Sequence, residues 1–191
     1  MASEQLEKDI RHCTKCRLSE TRTNAVPGQG PTDADIMLIG EAPGANEDQQ
    51  GEPFVGRAGR ILDELLAAAG LDRKDVYITN IVKCRPPGNR NPADDEIRTC
   101  TPYLARQVET IKPRVIIPMG NFATRTILKK YGLADHIQGI SKLHSTMFTI
   151  TTLLGKLSIM PAYHPAVATY DASKKDTLKE DFRKLKETLR G

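Results

Sequence analysis

Three acids, Glu41, Glu47 and Asp48, and one isolated aromatic, Phe54, share a stretch punctuated by glycine and proline, Gly40 to Gly59, reading GEAPGANEDQQGEPFVGRAG. Glycine and proline fix a tight backbone path, and an acid beside a flat ring in a shaped loop suits catalysis on, or binding of, a planar substrate. A polar surface loop around a half-buried Phe would have the same composition, so the loop alone leaves both readings open. Four cysteines form a second set. Cys13 and Cys16 stand as CxxC, Cys84 follows much later, and Cys100 comes after fifteen further residues. In an intracellular chain two disulfides are the poorer reading, and a metal centre is the better one. Tetrahedral zinc and an iron–sulfur cluster both take four thiolates, so ligand type does not separate them. Such a centre would lock the loop KCRPPGNR, residues 83–90, to the N-terminal segment, a structural task.

Those residues need elements to hold them. Ile36-Met37-Leu38-Ile39 is an apolar run of strand length ahead of the acidic loop. Ile61, Leu62, Leu65 and Leu66 recur at helical spacing after it, predicting a helix over 57–69 that Gly70 ends as a left-handed cap. Val76 to Val82 reads as a second strand with Asn80 near its end, and Asn91-Pro92 predicts the cap and first turn of a helix to about 110. Arg114 to Met119 is a third strand, and Gly120-Asn121 opens a helix that Gly132 closes. Thr146 to Ile159 reads as paired strands turning near Gly155, the second running into Tyr163-His164-Pro165. A short helix over 3–12 and a last helix over about 173–189 flank this series, and Thr21 to Pro31 is irregular.

Strand and helix alternate without repeats, which predicts an α/β fold: one domain over 1–191, three-layered αβα, with a central, mostly parallel four-stranded sheet. Glu41, Asn80, Asn121 and His164 each follow or end a predicted strand. They would converge on one edge of the sheet, where open parallel sheets bind ligands.

Composition agrees with an intracellular protein. Hydrophobic residues make up 39% and charged ones 27% of 191 residues, the balance of a globular chain. No apolar run approaches the ~20 residues of a membrane span, and MASEQLEKDIRHC lacks a signal-peptide core, so a cytoplasmic, nucleoid-associated location without membrane contact is expected. A net charge of +4 permits an anionic partner. Lys83, Arg85 and Arg90 crowd one loop, whereas Lys174, Lys175, Lys179, Arg183, Lys184, Lys186 and Arg190 alternate with acids as a solvated helix face does.

With these residues assembled, the chain resembles the family 4 uracil-DNA glycosylases, the iron–sulfur type found in archaea and many bacteria. The matching segments are the CxxC at 13–16, GEAPGANEDQQGEPFVGRAG at 40–59, TNIVKCRPPGNRNP at 79–92, Cys100, and HPA at 164–166. They span almost the whole chain. The resemblance implies a [4Fe–4S] cluster on Cys13, Cys16, Cys84 and Cys100, and hydrolysis of the N-glycosidic bond of uracil in single- or double-stranded DNA. A monomer with a sliding-clamp contact is the accompanying expectation for partners.

The resemblance also assigns roles. A base inside a duplex is unreachable, so the nucleotide is flipped into a pocket, where Phe54 stacks on uracil and the Asn80 amide reads its N3–H and O4. His164 hydrogen-bonds uracil O2 as negative charge grows there, and Glu41 holds a water near C1′ and stabilises the sugar cation. The position carrying a water-activating Asp in other uracil glycosylases is Ala42 here, beside the base but unable to take that part; Asn89 is the second candidate for orienting water or a sugar phosphate. Glu47 stands where the thymine methyl would go, or braces the loop. Lys83, Arg85 and Arg90 are expected on phosphates, and Val167 or Tyr170 as the residue probing the duplex.

Rival readings have residue-level signatures. A relative that traps itself covalently on uracil carries an extra basic loop with a His, where this chain has Gly88-Asn89-Arg90 without insertion. A cluster-stabilised nucleic-acid-binding module would bind uracil-DNA without making an abasic site. Phosphate chemistry would want a P-loop, and G-x-x-x-x-G-K-[ST] is absent.

Overall fold

The computed structural model describes residues 2–153 and 155–190, with side chains described over 4–153 and 155–185; the expected solvated positions Lys186 and Arg190 fall outside the described side chains. Helices α1 (Ala2–Arg11) and α2 (Leu18–Thr21) lead into strand β1 (Ile36–Gly40). There follow α3 (Ala45–Gln50), α4 (Arg57–Ala68), β2 (Val76–Asn80), α5 (Asp94–Ile111), β3 (Val115–Pro118) and α6 (Gly120–Lys130). The chain ends with α7 (Ile140–Leu143), the hairpin β4 (Phe148–Thr152) and β5 (Gly155–Ile159), and α8 (Ala172–Arg190).

The sheet order is β2-β1-β3-β5-β4. The first four of these strands are mutually parallel, and β4 lies antiparallel on β5. The expected count of four strands is therefore corrected to five. The reason is that β4 pairs with β5 and extends the same sheet as an edge strand, half-exposed on alternate residues.

Side chains alternate across β1 and so divide the core into two layers. Met37 and Ile39 face a cluster with Leu6, Ile10, Leu104 and Ile127, from α1, α5 and α6. Ile36 and Leu38 face another with Leu62, Leu66, Leu178 and Phe182, from α4 and α8. Helices thus cover both faces, as a parallel sheet requires. Among the described residues no helix is long and apolar enough to cross a membrane.

Three local expectations differ. Strand β2 stops at Asn80, although Ile81 N–H still donates to Gly40 O at 2.9 Å. Helix α5 starts at Asp94, because the Glu96 carboxylate reaches back to Ala93 N–H at 2.8 Å and caps there, two residues after the Asn-Pro pair. Within the acidic loop, α3 forms where none was expected. Gly70 does end its helix region in the left-handed conformation, φ 69°.

Candidate active site

Strands β1 and β2 end in register, Gly40 beside Asn80, and the chain leaving β5 passes over β3, Met119 bridging to Ala162, before reaching His164. Glu41, Phe54, Asn80 and His164 consequently line one cavity of about 390 Å³, together with Ala42, Gly44, Glu47, Ala58, Asn89, Arg90 and Ala166. That volume suits a small planar ligand. Gly40 makes the closure possible. A side chain there would put its first carbon 2.3 Å from Asn80 Oδ1 and 2.8 Å from Phe54 Cζ.

Asn121 does not join them. It is exposed, and its Oδ1 accepts from Ile140 N–H at 2.8 Å, bracing the start of α7.

Phe54 is buried, 5% exposed, and its ring stacks near the His164 ring at 5.6 Å between centroids with 29° between planes. Its backbone is held at φ 53°, a left-handed conformation disfavoured for an aromatic residue. Arg73 supplies the restraint. Its guanidinium donates to Pro53 O at 3.1 Å and to Phe54 O, and its Nε pairs with Asp63 at 2.5 Å. Gly59 admits the carbonyl, since a Cβ there would lie 1.7 Å from Phe54 O. Neither role carries a local sequence signal: Arg73 sits nineteen residues beyond the ring it fixes.

His164 is a neutral imidazole with a defined tautomer. Burial drives its pKa down to about 4, against the opposing charge of Glu47. Its Nδ1 accepts from Ala166 N–H at 3.2 Å, so the ring proton sits on Nε2. Burial pushes the Glu41 carboxyl up from its usual value, towards the range in which a carboxylate works as a base.

Glu47 lines the cavity, but its oxygens are taken by the loop. Oε2 accepts from Gly44 N–H at 3.1 Å, and Oε1 from Val55 and Gly56 N–H at 2.9 Å each. This is the bracing alternative, and it fixes both ends of the segment that carries Phe54. Asn89 is exposed at φ 55°, its Oδ1 accepting from Arg85 Nε at 2.8 Å.

Of the expected phosphate ligands, Arg90 lines the cavity and Arg85 is bonded to Asn89, which does too. Arg90 grips the buried Glu96 with two nitrogens, at 2.6 and 2.9 Å, and Arg17 adds a third bond at 2.7 Å. Those bonds, the Arg90 one foremost, draw the Glu96 pKa down to about 2. Lys83 is a correction: it is 1% exposed and points inward, out of reach of any phosphate. The residue after a strand can face either way, and here the loop turns it beneath β2. Val167 is partly buried and packs against the core, whereas Tyr170, beyond the turn Pro165–Thr169, is 79% exposed.

The four cysteines meet in a second, small chamber, lined by Cys13, Cys16, Cys84 and Cys100 with Arg22, Lys83 and Tyr103 among others. None is in a disulfide. Arg22 donates to Cys84 Sγ at 2.8 Å, and Lys83 N–H to Cys100 Sγ at 3.3 Å. Among the described residues no three His, Cys, Asp or Glu side chains group closely enough to hold a metal ion.

The chain is similar to known proteins over almost its whole length. The family described as the Uracil DNA glycosylase superfamily matches residues 27–190. The type-4 uracil-DNA glycosylase of Saccharolobus solfataricus is 48% identical over 182 residues, covering 95% of this chain and 83% of that one. The type-4 enzymes of Archaeoglobus fulgidus and Thermotoga maritima are 42% and 38% identical, over 96% and 98% of this chain and 92% and 94% of theirs. By fold and by sequence, the chain belongs to the uracil DNA glycosylase superfamily, in its type-4 family.

Proposed function

We propose that this chain, acting as one domain, removes uracil from DNA by flipping the nucleotide out and hydrolysing its N-glycosidic bond, releasing uracil and leaving an abasic site. The observation that carries the reading is the single cavity shared by Phe54, Asn80, Glu41 and His164. An aromatic plate replaces the stacking the base loses, worth roughly 1–3 kcal/mol for base–aromatic contact. The Asn80 amide offers an acceptor to uracil N3–H and a donor to O4. Cytosine presents the opposite pair, so a fixed amide leaves its groups unpaired and rejects it.

Cleavage leaves a uracil anion and an oxocarbenium-like sugar. His164 meets the anion without proton transfer: neutral, with Nδ1 committed to Ala166, it directs its Nε2–H at O2. Donors aimed at a developing anion contribute ~10²–10³ in rate. Glu41 stands on the cation side, holding the attacking water and opposing the charge at C1′. Glu47 keeps the loop, and with it the plate, in place. Arg85 and Arg90 give phosphate contacts that weaken steeply with salt, and the exposed Tyr170 is the better of the two candidates for probing the duplex.

Cys13, Cys16, Cys84 and Cys100 suit a [4Fe–4S] group in chemistry, being four thiols that line one chamber. When bound, the group cross-links the N-terminal segment to the loop after β2 and to α5. The reading is tested by incubating the protein with a uracil-containing oligonucleotide and cleaving abasic sites with alkali, alongside iron analysis. Strand scission and bound iron are expected. Tight uracil-DNA binding without scission would instead identify a non-catalytic binding module.

A further inference from the structure

Lys83 is one of the largest fully buried side chains in the protein, and neither the base-binding nor the hydrolytic step uses it. Its Nζ donates to Thr79 Oγ1 at 2.5 Å, to Gln107 Oε1 at 2.7 Å and to the backbone oxygen of Asn80 at 2.8 Å. The Asn80 carbonyl and the Gln107 amide oxygen can only accept. The Thr79 hydroxyl donates to Pro27 O at 2.8 Å, and the Gln107 amide nitrogen to Pro27 O at 2.8 Å and Tyr77 Oη at 3.0 Å. Three oxygens around one nitrogen match the three N–H bonds of an ammonium, a form that burial opposes, drawing the pKa down to about 7, and that the neighbouring Cys100 and Cys84 favour.

All three acceptors are uncharged, and a buried cation needs a counter-charge. The same residue lines the chamber of the four thiols, and its backbone N–H donates to Cys100 Sγ. Four thiolates around a metal core are net negative whether that core is zinc or iron and sulfide. We propose that Lys83 is the charge partner of the thiolate centre and the strut that ties that centre to the base-reading Asn80. The centre holds the ammonium, the ammonium holds the Asn80 carbonyl, and the carbonyl fixes the strand end from which the reading amide projects. Loss of the centre then loosens base discrimination before it unfolds the chain.

This rests on the thiolate centre and the Asn80 role proposed above, and the experiment separates the two layers. Lys83→Met keeps the stem and removes the charge. Two quantities are read: iron retained during challenge with a chelator, and the preference in binding an oligonucleotide with uncleavable 2′-fluoro-deoxyuridine over one with 2′-fluoro-deoxycytidine. The variant is expected to lose iron roughly 10- to 100-fold more readily, the range for outer-shell partners of metal sites. Its uridine preference should fall about tenfold, the equivalent of one strong hydrogen bond, and by less than about twofold in an Asn80→Ala background, since the effect passes through Asn80.

Unchanged iron retention, or the full loss of preference repeated without Asn80, overturns the proposal. Thr79→Val supplies an independent arm should Lys83→Met fail to fold: it removes one acceptor but leaves the charge, so iron retention should hold while the preference drops, and accelerated iron loss would refute the charge-partner role. An unmodified protein without bound metal, or Asn80→Ala with intact preference, would instead strike the underlying reading.

Discussion

Replacing His164 by glutamine should flatten the acid side of the protein's stability curve. The imidazole pKa falls from 6.5 to about 4 in the fold, chiefly by burial. Between those values the unfolded chain binds a proton that the folded chain refuses, so the ring's contribution is intact above about pH 6.5 and is lost as pH falls towards 4. Taking both pKa values, moving from pH 7.5 to 5.0 favours the unfolded state about thirtyfold through this ring alone, or about 2 kcal/mol. That is a large share of the 5–15 kcal/mol typical of a domain.

The assay is urea unfolding of the wild type and of His164→Gln at the two pH values, with stability taken from midpoint and slope. The wild type should lose about 2 kcal/mol more than the variant over the interval. Comparing the two proteins cancels other titrating groups. Burial raises the carboxyl pKa of both Glu41 and Asp181, which acts in the opposite direction, stabilising the fold as pH falls. Equal pH slopes in the two proteins would refute a desolvated, neutral His164 and with it the Nε2–H donor.

Asn80→Asp should erode discrimination against cytosine, because a carboxylate accepts from the cytosine amino group; unchanged base preference in a competition between uracil and cytosine oligonucleotides would remove Asn80 from base reading. Arg73→Ala should lower kcat/KM on uracil-DNA roughly tenfold by freeing the strained Phe54 backbone. In a Phe54→Ala background the same change should cost less than about twofold, and a full repeat of the loss would show that Arg73 does not act through the ring.

The strands that carry the site were legible because they are buried on both faces and therefore read as unbroken apolar runs, as Ile36 to Ile39 does. Glu41, Asn80 and His164 were legible because each stands where such a run stops, and strand ends of a parallel sheet share one edge. Asn121 obeyed the same rule and still left the cavity, since its helix directs it towards α7. Lys83 failed for a related reason: sequence gives a residue's distance past a strand end but not which way the departing loop turns it. A charged residue in an arginine-rich loop looks like surface until three acceptors are found around it. Arg73 and Gly59 were illegible altogether, because their function is a contact between segments that meet only in the folded chain.

The thiol chamber has a consequence for how the protein is made. Cys100, the last of its four sulfurs, lies in α5, and β1 and β2 precede it, whereas the imidazole proposed to meet the leaving base lies at residue 164. A ribosome that has released α5 has already delivered all four cysteines, Glu41 and Asn80, but not His164. Synthesis therefore completes the proposed site only near its end, and a chain interrupted between the two lacks the donor proposed for the leaving base.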